Sequence, residues 1–248
     1  MNAIVCVKYQ KKNYIKCKVL GYPCQIGSQD LEAVKVACLL KSKYQGKITV
    51  ISMGPERARK HLGLLYALGV DEIILLSDIV YAGSDTLVTS EILSKMISKL
   101  DHDFVLCGIK SDDSATGQVP LQISARLNYG YKEYAENRFE DFRLDSAKNK
   151  SVIVVGRCGS RTFPTLTEIK GANGKEVFSW SNQEIGKNNE DCGIAGSPTK
   201  VKKLYKEKDI DRKRGVFWVG KVDDSVKRML KYSGLSLWGK EDMDVKKG

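Results

Sequence analysis

A chain of 248 residues, 42% of them hydrophobic, can bury one large core or two small ones. No apolar run approaches the ~20 residues needed to cross a bilayer, which excludes a helical membrane span. The formal net charge is +11, and Lys200 to Lys247 carry 15 Lys/Arg against 8 Asp/Glu; such a tail suits nucleic acid or a solvated arm on a protein partner, and charge does not decide between them.

The chain opens with "AIVCV" (3–7), read as a first strand and not as a signal peptide, since a short apolar run follows no basic segment. A cytoplasmic protein is expected. "DLEAVKVACLLKSK" (30–43) has helical spacing with Asp30 as N-cap. "KITVIS" (47–52) is a buried strand, and "PERARKHLGLLYALG" (55–69) a helix with Pro55 in its first turn and Gly69 at its end. "EIILLS" (72–77), "DTLVTSEILSKMISKL" (85–100), "DFVLCG" (103–108) and "GQVPLQISARL" (117–127) continue the alternation of strand and helix. Strands apolar throughout, separated by helices, predict a doubly wound parallel α/β sheet of Rossmann-like type, with helices on both faces. Ligands in such sheets bind beyond the carboxyl ends of the strands, so the loops after strands one, two and four are the ones to watch.

The second half has less core-forming pattern. "SVIVVG" (151–156) is one more strand, and irregular, Lys-rich sequence follows. The expected organisation is an α/β domain over 1–185 and a C-terminal arm over 186–248 that packs on a partner subunit. The seven cysteines include no C-x-x-C pair, so a zinc or cluster site is not expected and the thiols read as reduced and structural. Asp101 and Asp103 in a helix-to-strand turn read as solvated, not as metal ligands, and His61 and His102 lack a nucleophilic partner in pattern.

The stretch "SDDSATGQVP" (111–120) stands out. It places Gly108, Ser114, Thr116 and Gly117 between a strand and a helix N-terminus, where backbone N–H groups and hydroxyls can hold phosphate. Asp112 and Asp113 can accept from ribose hydroxyls or cap a helix, and "SMGPE" offers Gly54 on the neighbouring strand. Plain helix capping is the commoner use of such a turn.

"KITVISMGPERARKHLGLLYALGVDEIILLSD", "AGSDT" (82–86), "GSPTKV" (196–201) and "DDSATGQVP" together resemble the β subunit of electron-transfer flavoproteins, in order and over the chain to about Lys206. The resemblance implies pairing with an α subunit that carries the electron-transferring FAD, contacted at the interface. It also implies an adenine nucleotide in this subunit: AMP in simple carriers, or a second FAD in bifurcating ones, where NADH is the donor. Carried over by position, the cofactor site comprises Cys6, Val7 and Lys8; Gly27 and Asp30; Ser52, Met53 and Gly54; and Gly108, Asp112, Asp113, Ser114, Ala115, Thr116, Gly117 and Gln118. No side chain is assigned a catalytic role; the redox chemistry is the flavin's. Two stretches depart from the family: "YQKKNY" where V-P-D-T is common, and "GSQD" where N-P-x-D or N-P-x-C is common. AMP or FAD stays open, with FAD slightly favoured.

"SRTFPTLTEIKGANGK" (160–175) resembles the family's recognition loop, which docks an acyl-CoA dehydrogenase-type flavoenzyme. Leu166 is the matching anchor, flanked by Arg161, Phe163 and Ile169; covering the protein's own core is the alternative use of Leu166. Trp180, Trp218 and Trp238 among lysines are expected to anchor the arm to the partner subunit. Two rival readings are a nucleotide-sensing module of the same fold with no redox role, and an RNA-binding protein, whose usual aromatic motifs are missing.

Overall fold

The computed structural model describes residues 1–10, 26–134, 150–156, 164–200 and 222–233. Within them lies a seven-stranded sheet: β1 (Asn2–Cys6), β2 (Lys47–Met53), β3 (Glu72–Leu76), β4 (Phe104–Gly108), β5 (Gly130–Tyr134), β6 (Ser151–Val155) and β7 (Phe178–Trp180). The order is β5-β6-β4-β1-β2-β3-β7, and every pairing is parallel. The doubly wound α/β expectation therefore holds.

Because side chains alternate along a strand, the sheet feeds two cores. Val5, Val50, Ile73, Leu75 and Leu106 face one, with Val34, Ala37 and Leu40 of α1 (Ser28–Tyr44) and with Leu62 and Leu65. Ile4, Ile51, Ile74 and Val105 face the other, with Val88, Ile92 and Met96 of α3 (Thr86–Ser98) and Ile123 of α4 (Gln118–Leu127). Cys6 and Cys107 are register partners on β1 and β4, both buried in the second core. Cys6, Cys38, Cys107 and Cys192 are free thiols.

Three readings are corrected. Asp30 is not the N-cap of α1: the helix starts at Ser28 with Gly27 in the cap position, and Asp30 turns its carboxyl to the strands. The stretch 55–69 is not one helix. It runs as a 3₁₀ turn over Glu56–Ala58, α2 (Arg59–Gly63), and a second 3₁₀ turn over Leu64–Leu68 that ends at left-handed Gly69. Its buried residues, Ala58, Leu62 and the run Leu65–Leu68, suit a tightened path against the sheet better than a regular amphipathic helix. Two strands were not anticipated. β5 reads "GYKEY" with no apolar alternation, and β7 is only three residues long; both are edge strands.

The chain divides into two compact units, Met1–Val201 and Lys202–Gly248. The first therefore includes α6 (Asn182–Ile185) and, beyond it, residues 186–200 with α7 (Gly193–Gly196) and the buried Cys192. In the second, the described helix is α8 (Val222–Ser233), with Asp223 and Asp224 in its first turn, Lys231 in its last, and Val226 and Met229 exposed. Acids at the start and a base at the end complement the helix dipole. No helix among the described residues is long and apolar enough to cross a membrane.

Candidate functional site

β1 has β2 on one side and β4 on the other, so the connections leaving these strands diverge at their carboxyl ends. This is the topological switch point, where a doubly wound sheet opens a crevice. Asp30 lies at its floor. The Lys8 N–H donates to Asp30 Oδ2 at 2.8 Å, and the Gly108 N–H also bonds the carboxyl. A Cβ on Gly108 would fall 2.5 Å from Asp30 Oδ1 and 2.9 Å from Asp30 N, so only glycine lets α1 sit this close to β4. Burial pushes the Asp30 carboxyl up to about 7, against the lowering effect of the Lys8 N–H; the Asp112 carboxylate raises it further.

The loop after β4 is clipped to β1 and α1. Ser28 N donates to Asp112 Oδ2 at 2.9 Å and Ser28 Oγ to Asp112 Oδ1 at 3.1 Å, so Asp112 caps α1 from a distant part of the chain. Lys110 N donates to Gln29 Oε1 at 3.0 Å. Lys8 Nζ pairs with Asp113 Oδ1 at 2.7 Å, an oxygen that also accepts from Ser114 N. Partial burial works to raise the Asp113 carboxyl, but the bonds from Lys8 and Ser111 outweigh it and hold it below the usual range. The Ser111 and Ser114 hydroxyls bond each other at 2.8 Å. Ala115 (φ 52°) and Gly117 (φ 64°) then turn the chain into α4 through left-handed backbone. Gly117 is the N-cap of α4 and supplies no side-chain cap, and Pro120 in the first turn has no N–H. The first-turn N–H groups that remain are the unmet donors of a helix start, suited to an anion.

On the neighbouring strand, Ser52 is buried and its hydroxyl has no hydrogen-bond partner among the described residues, while Met53 is half-buried. Gly54 donates to Leu76 O, and a Cβ there would touch the Tyr9 Cβ position at 3.7 Å. The fold thus brings Cys6, Val7, Lys8, Gly27, Asp30, Gly108 and the 112–118 loop to one end of the sheet, with Ser52–Gly54 on the next strand. No group of acids, cysteines and histidines suited to a metal occurs among the described residues.

The chain matches the electron transfer flavoprotein domain family over residues 23–141. It is 32% identical over 225 residues to the electron transfer flavoprotein subunit beta of Clostridium acetobutylicum, covering 82% of this chain and 87% of that one. It is 32% identical over 243 residues to Protein FixA of Azotobacter vinelandii, covering 84% and 85% of the two chains. With the caffeyl-CoA reductase-Etf complex subunit CarD of Acetobacterium woodii the identity is 29% over 197 residues, covering 73% and 75%. The chain belongs to the electron-transfer flavoprotein β-subunit family.

Two stretches that suggested this β-subunit family from sequence form one structural unit. Asp85 of "AGSDT" caps α3, accepting from Leu87 N and Val88 N at 3.0 Å. Its other oxygen accepts from Thr199 Oγ1 at 2.7 Å and Thr199 N at 3.1 Å, within "GSPTKV". Asp85 N in turn donates to Ser197 Oγ at 2.9 Å. Burial works to raise the Asp85 carboxyl; the bonds from Thr199, Val88 and Leu87 overcome it and hold the group below its usual range.

Of the residues expected to dock a partner, Leu166 and Ile169 lie away from the crevice. Leu166 opens α5 (Leu166–Ala172), which Thr165 and Glu168 start with a capping box. Leu166 is 78% exposed, so it does not cover its own core, and Ile169 is half-buried one turn on. Arg161 and Phe163 lie outside the described residues, as do Trp218 and Trp238. A hollow of about 970 Å³ opens beside α5, lined by Arg59, His61, Leu64, Ile169 and Val177 among others. It is not the switch-point crevice and shares no residue with it. Sequence reasoning missed Gln10 and Lys110 as members of the crevice: Lys110 is tied to Gln29, 81 residues away, and Gln10 is buried beside Gly27 only by the fold.

Proposed function

We propose that this chain holds an adenine nucleotide, AMP or a second FAD, in the β1/β4 crevice and serves as the β subunit of an electron-transfer flavoprotein. An electron-transfer role follows from the family. The nucleotide site rests on one observation above all: α1 is already capped by Asp112, while α4 begins at Gly117 without a side-chain cap directly after the polar loop. Phosphate oxygens would then sit at the α4 N-terminus near Lys110, with Asp30 and Asp113 held off by bonds to Lys8. The residues fit an adenine nucleotide: donors at a helix start, a nearby lysine, and buried polar groups that lack partners among the described residues.

In this reading an α subunit carries the electron-transferring FAD and packs against this chain, with the chain beyond Val201 lying on it. Leu166 and Ile169, with Arg161 and Phe163, dock an acyl-CoA dehydrogenase-type flavoenzyme. Burying one exposed leucine contributes about 1.5–3 kcal/mol to such a contact. With FAD in the crevice, the complex would accept hydride from NADH and divide the two electrons between acceptors; with AMP it is a one-flavin carrier.

The test is to co-express the chain with its α subunit, denature the purified complex, and identify the released nucleotides with their stoichiometry. Two FAD per heterodimer supports the second flavin and bifurcation, and one FAD with one AMP supports the simple carrier. No nucleotide beyond the α-subunit flavin would remove the site built around residues 111–118.

A further inference from the structure

We infer that Gln10 is the base-reading residue of the crevice: its side-chain amide, buried beside Gly27 and lacking a partner, donates to an acceptor nitrogen on the nucleotide base. The inference rests on the nucleotide reading above and extends it to a residue outside the family pattern. Gln10 falls within "YQKKNY", where the resemblance to the family's V-P-D-T turn breaks down.

Gln10 is 4% exposed, yet its Nε2 has no hydrogen-bond partner among the described residues. Folded proteins seldom leave a buried donor unmet, because the group has lost its water and gained nothing in return. The amide is placed by the absence of a side chain opposite. A Cβ on Gly27 would stand 2.7 Å from Gln10 Nε2 and 3.3 Å from Asp30 Oδ2. The amide thus shares the space over Gly27 with Asp30, whose Oδ2 already accepts the Lys8 N–H. A second orphan, the Ser52 hydroxyl, lies at the carboxyl end of β2, the strand beside β1.

The chemistry of these neighbours selects the part of the nucleotide. A phosphate beside Gln10 would meet the Asp30 carboxyl, whereas a neutral heterocycle would not. The uncapped start of α4, reached through the loop that Lys110 N ties to Gln29, suits the phosphates. The base then lies toward β1 and β2, and the phosphates toward α4. A neutral, buried amide also discriminates strongly, since a ligand without the matching acceptor leaves a buried donor unpaired.

The experiment uses the full-length chain in complex with its α subunit, with AMP as the probe after the bound nucleotide is stripped. Gln10→Met keeps the length of the side chain and removes the donor; Gln10→Glu keeps the shape and an acceptor. Both are expected to weaken AMP binding about tenfold or more, the usual cost of an unpaired buried partner. The nucleotide-free Q10M complex should melt at the same temperature as wild type or higher, because an orphaned donor has been removed. Affinity within twofold of wild type in both variants would overturn the role of Gln10 while leaving the nucleotide site intact. A lowered nucleotide-free melting temperature in Q10M, with wild-type AMP affinity in Q10E, would make Gln10 a structural residue instead. A wild-type complex that binds neither AMP nor FAD in this subunit would remove the nucleotide reading itself, and this proposal with it.

Discussion

Asp30 puts one carboxyl where β1, β4 and α1 meet, and its consequences run through proton linkage. The folded protein holds the proton up to about pH 7, whereas an unperturbed carboxyl releases it near 3.8. Between those values the native state binds more protons than the unfolded chain, so this group lowers stability as pH rises through the window. Denaturant titrations from pH 4 to 8 should show that loss in wild type, and Asp30→Asn should flatten it. An asparagine turns an NH₂ toward one of the two backbone donors, at a cost of about 1–3 kcal/mol at pH 5. That cost should shrink toward pH 8, where wild type bears a buried charge. Gly108→Ala tests the same junction by sterics, since the added methyl would overlap Asp30 and the carbonyl carbon of Gln29 at 2.8 Å. Overpacking here is expected to cost about 1–3 kcal/mol in chemical denaturation.

At the scale of elements, α3 and the segment at 197–199 depend on one side chain. Asp85→Ala removes the cap of α3 and the carboxylate that accepts from Thr199. The cap alone is worth about 1–2 kcal/mol. Hydrogen exchange should report faster exchange at Leu87, Val88 and Thr199, while the strands keep their protection. Because the Asp85 carboxyl is held low, its contribution is present near neutral pH and lost as pH falls through the acid range. β7 is likewise maintained from outside itself: Arg59 of α2 donates to the Val177 carbonyl and to the Ser179 hydroxyl. A three-residue strand leaves little trace in sequence, which is why the edge was unforeseen, and the polar β5 was hidden for the complementary reason.

For the whole molecule, an exposed site and a buried one should separate stability from association. Leu166 makes little use of the fold, at 78% exposure. Leu166→Asp should therefore change the melting free energy by no more than about 0.5 kcal/mol, as surface substitutions usually do. In the docking reading it should slow electron transfer to the partner flavoenzyme while leaving nucleotide content at wild-type level. Unchanged transfer kinetics would assign the docking surface elsewhere.

Sequence alone determined the strands β1 to β4 and β6, the alternation with helices, and hence the switch point, because buried strands and amphipathic helices carry local periods of 2 and 3.6 residues. It also marked the 111–118 loop and the two stretches that meet at Asp85. Tertiary structure decided the partners. Asp112 caps a helix 84 residues away, Thr199 reaches Asp85 across 114, and Asp30 bonds a strand instead of starting its own helix. Contacts at such separations follow from how the sheet winds, and they leave no periodic signal in the chain. The same holds for Gln10, an ordinary polar residue in sequence that the fold sets against Gly27 as a buried donor without a partner among the described residues.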